Sequence, residues 1–228
     1  MLHAQEIARR YTEVRERVAS AARRAGREPS QVQLVLASKT QPPDAIAAAY
    51  EAGARNFGEN YVQEALGKQE TLSALDIRWH LIGHLQTNKA KVAASAFALI
   101  HSVDSIRIAE ALARAQSTPP VRALIEVNLG GEASKSGAAP DSVEALIDST
   151  RSRIDVLGLM TIPPPSDDPN ESRRYFAELR AMRDRLAART GLALSELSMG
   201  MTDDFEIAIE ENATIVRVGR AVFGERAR

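Results

Sequence analysis

Eight short apolar runs recur along this chain, the first seven each giving way to a stretch with helical spacing, and no other feature limits its possible folds so tightly. The first run begins at residue 33, and the others cover 54–60, 77–84, 98–104, 122–129, 154–162, 196–201 and 215–223. Between them, 44–52, 61–75, 87–96, 105–115, 140–150, 171–190 and 203–211 read as helices, with Thr87 and Thr202 as expected N-terminal caps. Strands that alternate with helices pair in parallel, and eight such units are the number that closes a (β/α)8 TIM-type barrel. An open doubly wound sheet is the alternative, because a strand count does not prove closure. The eighth unit lacks its own helix in this reading. An extra N-terminal helix over 2–25, with Ile7, Tyr11, Val14, Val18, Ala21 and Ala25 on one face, can fill that gap in the outer ring. The spacing leaves no room for a second domain, so residues 1–228 are expected to form one α/β barrel domain.

Composition removes whole classes of function. The 29 basic and 30 acidic residues balance, so no footprint for nucleic acid or an anionic membrane is expected. The lack of cysteine excludes disulfides, thiolate metal sites and thiol nucleophiles, and it suits a cytoplasmic location. The most apolar central segment, 92–100, is far shorter than a membrane span. Glu6, Glu13 and Glu16 argue against a transit peptide in the Arg-rich N-terminus.

In such a barrel, functional groups gather at the C-terminal ends of the strands. Those ends carry Lys39, Asn60, His84, Ser102 with Asp104, Asn128, Met160 with Thr161, Ser198 with Gly200, and Arg217 with Gly219. Period-two alternation puts Lys39 on the face of Val35 and Ala37; taken alone, it reads as a solvated lysine just past a strand. Arg217 stands between Val216 and Val218 and shares a face with Ile215 and Gly219. A charge inside a barrel needs a partner, which an internal pair with Glu126 would supply. His80 and His84 share a strand face, but no carboxylate or third histidine completes a ligand set, so no metal is expected. Ser198-Met199-Gly200 and Gly219-Arg220 offer backbone amides near strands seven and eight, where barrels commonly grip phosphate. A lysine, an arginine and a phosphate site at one barrel mouth point to pyridoxal 5'-phosphate (PLP). An arginine stays protonated, so it disfavours a pyridinium and weakens the ring as an electron sink. Such a site is better suited to holding the cofactor than to stabilising carbanions.

The chain resembles the pyridoxal phosphate homeostasis protein family, whose fold is similar to the N-terminal barrel of alanine racemase. The resemblance rests on LVLASKTQP around Lys39, FGENYVQE (57–64), WHLIGHLQTNK (79–89), HSVDS (101–105), EVNLGGEASKSG (126–137), GLMTI (158–162), LSMGMTDDFEIAI (197–209) and VRVGRAVFG (216–224). It implies a PLP Schiff base on Lys39 and Arg217 facing the pyridine nitrogen. It also implies that Ser198, the Met199 amide and the Gly219–Arg220 segment hold the phosphate, with Asn60 and Met160 near the ring. The family usually has a small hydroxyl residue where this chain has Arg220, and serine is common where it has Thr202.

Three functions follow for comparison. The resemblance implies a monomeric protein that holds PLP in the cell, takes part in its homeostasis without robust turnover, and has PLP-dependent apo-enzymes as recipients. The alternative is a PLP-dependent enzyme such as an amino-acid racemase. A racemase of this barrel type takes its second base and part of its site from a C-terminal β-domain, and Tyr11, Tyr50, Tyr61 and Tyr175 all fall in helices. A phosphosugar enzyme would explain the phosphate site but gives Arg217 no clear partner. Lys135, in the polar loop 130–137, is a candidate second acceptor for PLP.

Overall fold

Short β-rich runs separated by amphipathic helices bury their apolar faces either in an open doubly wound sheet or by wrapping the sheet on itself, and the chain adopts the closed form. The computed structural model describes residues 2–115, 119–132 and 136–225. After α1 (Ala4–Arg24), the units are β1 (Gln33–Ala37) with α2 (Pro43–Glu51), β2 (Asn56–Glu59) with α3 (Val62–Thr71), β3 (Arg78–Leu81) with α4 (Ala90–Ala96), and β4 (Leu99–Val103) with α5 (Ile106–Ala113). The second half continues with β5 (Arg122–Glu126) and α6 (Val143–Thr150), β6 (Asp155–Met160) and α7 (Ser172–Thr190), β7 (Glu196–Ser198) and α8 (Phe205–Glu210), and β8 (Ile215–Val218) and α9 (Arg220–Phe223). All neighbours are parallel, and β8 pairs with β1 from Gln33↔Ile215 to Leu36↔Val218, which closes the barrel and excludes the open sheet.

Two cores result from the alternation. Val35, Leu99, Leu124, Met160 and Ile215 meet inside the barrel, while Leu36, Phe57, Leu81, Ile125, Leu159 and Val216 face the helices. The apolar stripe of α1 is buried as the spacing predicts, and the helix packs on α2, α8 and α9. Gly26, at φ 69, ends it in the left-handed conformation that glycine adopts cheaply. Gly158 is needed for another reason: a Cβ there would lie 1.9 Å from the Glu196 carbonyl oxygen on β7.

Three local expectations are corrected. The eighth strand stops at Val218 and not at 223, because α9 begins at Arg220 and turns Val222 and Phe223 into the outer core. The eighth unit therefore has a short helix, and α1 packs beside it. Thr87 caps nothing: it starts a 3-10 turn, Thr87–Lys89, whose N-cap is Gln86. Thr202 does not cap α8 either. Asp204 is the N-cap, and its Oδ1 accepts from the Met201 N–H at 2.6 Å, tying down the turn before the helix.

Candidate functional site

At the C-terminal mouth a cavity of about 210 Å³ opens between the ends of β1 and β8. It lies below the roughly 300–1,000 Å³ of sites for drug-sized ligands and suits a compact monocyclic one. Lys39, Asn60, Arg217, Gly219 and Arg220 line it, with Ile82, Ile162 and Phe223 supplying apolar wall. Met160, Ser198 and Met199 do not line it. Met160 packs inside the barrel, and Met199 faces the helices. The Met199 N–H donates to the Ile215 carbonyl at 3.1 Å, so the barrel ladder already uses that amide.

Arg217 is 4 % exposed, and its partners are neutral. Nη1 donates to Ser198 Oγ at 2.5 Å and Nη2 to the Thr161 carbonyl at 2.9 Å. Among the described residues it forms no ion pair with Glu126, contrary to the internal pair considered from the sequence. Burial lowers the guanidinium to about 10, against the opposing pull of Glu126 and Asp204, so it stays charged at neutral pH. Since Arg217 can only donate, Ser198 Oγ and the Thr161 carbonyl are its acceptors. Ser198 Oγ, receiving from Arg217, also shares a hydrogen bond with His101 Nδ1 at 2.8 Å. His101 Nε2 is hydrogen-bonded to His80 Nδ1 at 2.9 Å, and His80 Nε2 faces Asn56 Oδ1 at 3.4 Å. Both imidazoles are neutral: burial drives His101 well below its usual range and His80 to about 4.

Glu126, also inside the barrel, is pushed from 4.5 to about 7, mainly by burial and further by Asp104, while Arg217 opposes the shift. Its folded form therefore keeps a proton between those values that the unfolded chain releases, so stability falls as pH rises through this window. Relative to the parent, Glu126→Gln is expected to be equally stable near pH 4.5 and more stable above pH 7, by about 3 kcal/mol at most. Urea unfolding at pH 5, 6.5 and 8 reads this directly; a difference that does not grow with pH contradicts it.

The other strand-end residues and Arg220 make contacts of their own. His84 Nδ1 lies 3.3 Å from Asp104 Oδ2, and Ser102 Oγ donates to the Gly83 carbonyl at 2.6 Å. Arg220 is half exposed and pairs with Asp203 and, at 3.5 Å, Glu225. Lys135 lies outside the described residues. No group of three metal-ligating side chains occurs among the described residues, and none of their helices is long and apolar enough to cross a membrane.

The sequence reading missed the cluster behind Lys39. Glu59 faces the helix layer beside Phe57, and Lys68 on α3 reaches it at 2.8 Å. An acid ending a short strand on the outward face of Phe57, nine residues before a lysine on the following helix, was the available signal. Burial raises the Glu59 carboxyl against the opposing pull of Lys68 and Ser38.

Comparison with known proteins agrees with this architecture. Residues 10–227 match the family model of the alanine racemase N-terminal domain. The pyridoxal phosphate homeostasis protein of Aquifex aeolicus (strain VF5) is 48% identical over 95% of this chain and 97% of its own length. That of Pseudomonas aeruginosa is 45% identical over 96% of each chain. PipY of Synechococcus elongatus PCC7942, solved with PLP bound, superposes with a TM-score of 0.81 at 40% identity, covering 92% of this chain and 100% of that one. A closed barrel holding a lysine and an arginine at one mouth, with matches spanning nearly its whole length, belongs to the alanine racemase N-terminal domain family, among the pyridoxal phosphate homeostasis proteins.

Proposed function

We propose that this chain binds PLP through a Schiff base on Lys39 and takes part in PLP homeostasis as a holding protein. The observation that carries the reading is that Lys39 and Arg217 line one cavity, with Arg217 fixed inside the barrel by Ser198 and Thr161. PLP, when bound, supplies an aldehyde for an amine and an electron-withdrawing ring. The chain's own residues suit retention. Arg217 would donate to a ring nitrogen without protonating it, because a guanidinium near 10 does not release its proton at neutral pH. Gly219 and the first amides of α9 lie beside Arg220 on the cavity wall, where a phosphate would meet unpaired N–H groups and a cation. Asn60 contributes a neutral side chain to the same wall.

The relatives carry the name homeostasis protein and not that of an enzyme, and none of the four tyrosines lines the cavity. Both points support a carrier over a racemase. PLP-dependent apo-enzymes are its proposed recipients.

The test is the absorption spectrum of the purified chain after incubation with PLP, followed by borohydride reduction and peptide mapping. The parent is expected to be coloured and reduced at Lys39. Lys39→Ala is expected to lose the colour and to bind PLP about 100-fold more weakly. A colourless parent that borohydride does not label at Lys39 refutes the reading, and robust racemisation or decarboxylation of amino acids by the loaded parent refutes the carrier role.

A further inference from the structure

Lys39 sits between two residues that are both tied to one buried charge cluster. The Lys68 ammonium donates to the Ser38 carbonyl at 2.8 Å, to Glu59 Oε1 at 2.8 Å and to Glu64 Oε1 at 2.7 Å. These contacts use all three of its protons. Ser38 Oγ also donates to Glu59 Oε1 at 2.5 Å, and the Thr40 N–H donates to Glu64 Oε1 at 2.6 Å. The Ser38 carbonyl accepts a second bond, from the Gln41 N–H at 2.9 Å, which closes the turn around Lys39. Lys68 is 6 % exposed and Glu59 0 %, and Glu59 Oε2 has no hydrogen-bond partner.

A buried ion pair is a poor device for stability alone, since well-packed apolar residues of similar volume generally serve as well or better. This one grips backbone at a strained point. Thr40 has φ 64, a left-handed conformation unfavourable for a β-branched residue. Such strain persists only where surrounding contacts over-determine it, and the bond from the Thr40 N–H to Glu64 is one of them. The cluster holds the backbone before Lys39 through Ser38 and after it through Thr40, so it sets the direction in which the Lys39 Cα–Cβ bond leaves the chain.

We infer that Lys68, with Glu59 and Glu64, is the positioning residue for Lys39: it clamps the 38–40 turn so that the Lys39 amine meets a carbonyl carbon held in the cavity. The inference rests on the proposed role of Lys39 as the PLP acceptor. In that step the neutral Nζ bonds to the aldehyde carbon and the aldehyde oxygen leaves as water, with the two amine protons; no other reactant is needed. Because hydrolysis reverses it, its equilibrium depends on how well the amine is held at the carbon. Lys68, with every proton engaged, acts only through the turn.

The experiment compares PLP with pyridoxine 5'-phosphate, which lacks the aldehyde, on the full chain and its Lys68→Met, Lys68→Arg and Glu64→Ala variants. The readouts are both affinities, the imine absorbance and the fraction of Lys39 labelled after borohydride. In Lys68→Met the ratio of PLP affinity to pyridoxine 5'-phosphate affinity is expected to fall about tenfold or more, with pyridoxine 5'-phosphate binding within about twofold of the parent. Lys68→Arg is expected to recover part of the ratio and of the imine absorbance. Glu64→Ala leaves the Lys68–Glu59 pair in place and serves if Lys68→Met does not fold; its ratio is expected to fall about threefold. An unchanged ratio in Lys68→Met, or in Glu64→Ala where only that variant folds, overturns the inference, and so does an equal loss for both ligands. In either case Lys39 remains the acceptor. A parent that binds both ligands alike and is not labelled at Lys39 overturns the proposed function itself, and this inference with it.

Discussion

Gly158→Ala is expected to leave little folded protein, with a stability loss of at least about 4 kcal/mol. A Cβ at this position would lie 1.9 Å from the Glu196 carbonyl oxygen, 2.7 Å from its carbon and 2.9 Å from its nitrogen. All three are backbone atoms of the paired strand, so no side-chain rotation relieves the clash. Gly158 pairs with both Leu124 and Glu196, and the ladder to β5 is irregular just before it. Moving β7 away would break the Leu159↔Leu197 and Met160↔Ser198 pairing and displace the partner of Arg217. Gly67→Ala is the control. Gly67 lies inside α3, and a Cβ added there would meet nothing within 4 Å, so alanine should stabilise the chain by about 0.5–1 kcal/mol. Circular dichroism melts of the two variants read both; a Gly158→Ala melt within a few degrees of the parent would falsify the clash argument.

Arg217→Met is expected to lower the melting temperature by about 10 °C, from a loss of about 3–5 kcal/mol. Methionine has enough length to fill much of the space but donates nothing. The Thr161 carbonyl and Ser198 Oγ would each lose a donor inside the barrel, and buried groups left unpaired carry their full desolvation cost. Ser198 would keep only its contact with His101. The same variant should bind PLP weakly, whereas Arg217→Lys, which keeps a charge but not the fork, should fall between the two. An Arg217→Met melt unchanged from the parent would show that the barrel interior repacks freely around this position.

The barrel was legible because its signal is repeated: period-two strands and amphipathic helices recur at regular spacing, and each reinforces the reading of the next. Lys39 and Arg217 stood out because a charge interrupts an apolar face, and both line the cavity. The direction of Ser198 was not legible. Its environment depends on His101 from β4 and Arg217 from β8, residues 97 positions before it and 19 after it, and local spacing carries no record of that meeting. Thr87 and Thr202 looked like caps because threonine suits the position, but caps depend on where the first turn starts, and 3-10 turns or acidic residues took those places. Arg220 shows a similar limit. Its place on the cavity wall follows from the strand-eight pattern, but its ion pair with Asp203 on the preceding loop has no local sign.

The seam between β1 and β8 also orders events in time. Helix α1 is synthesised first, yet two of the helices it packs on, α8 and α9, are synthesised last, and β1 must wait for residues 215–218 before its second edge is paired. Until then the stripe of Ile7, Tyr11, Val14 and Val18 lacks the cover of α8 and α9, and β1 presents an open strand edge. Contacts that join the two ends of a chain carry the largest loop-closure entropy, so ring closure is a late and slow step. Arg217 lies on that seam, paired with Val35, so the floor of the cavity forms only when the ring shuts.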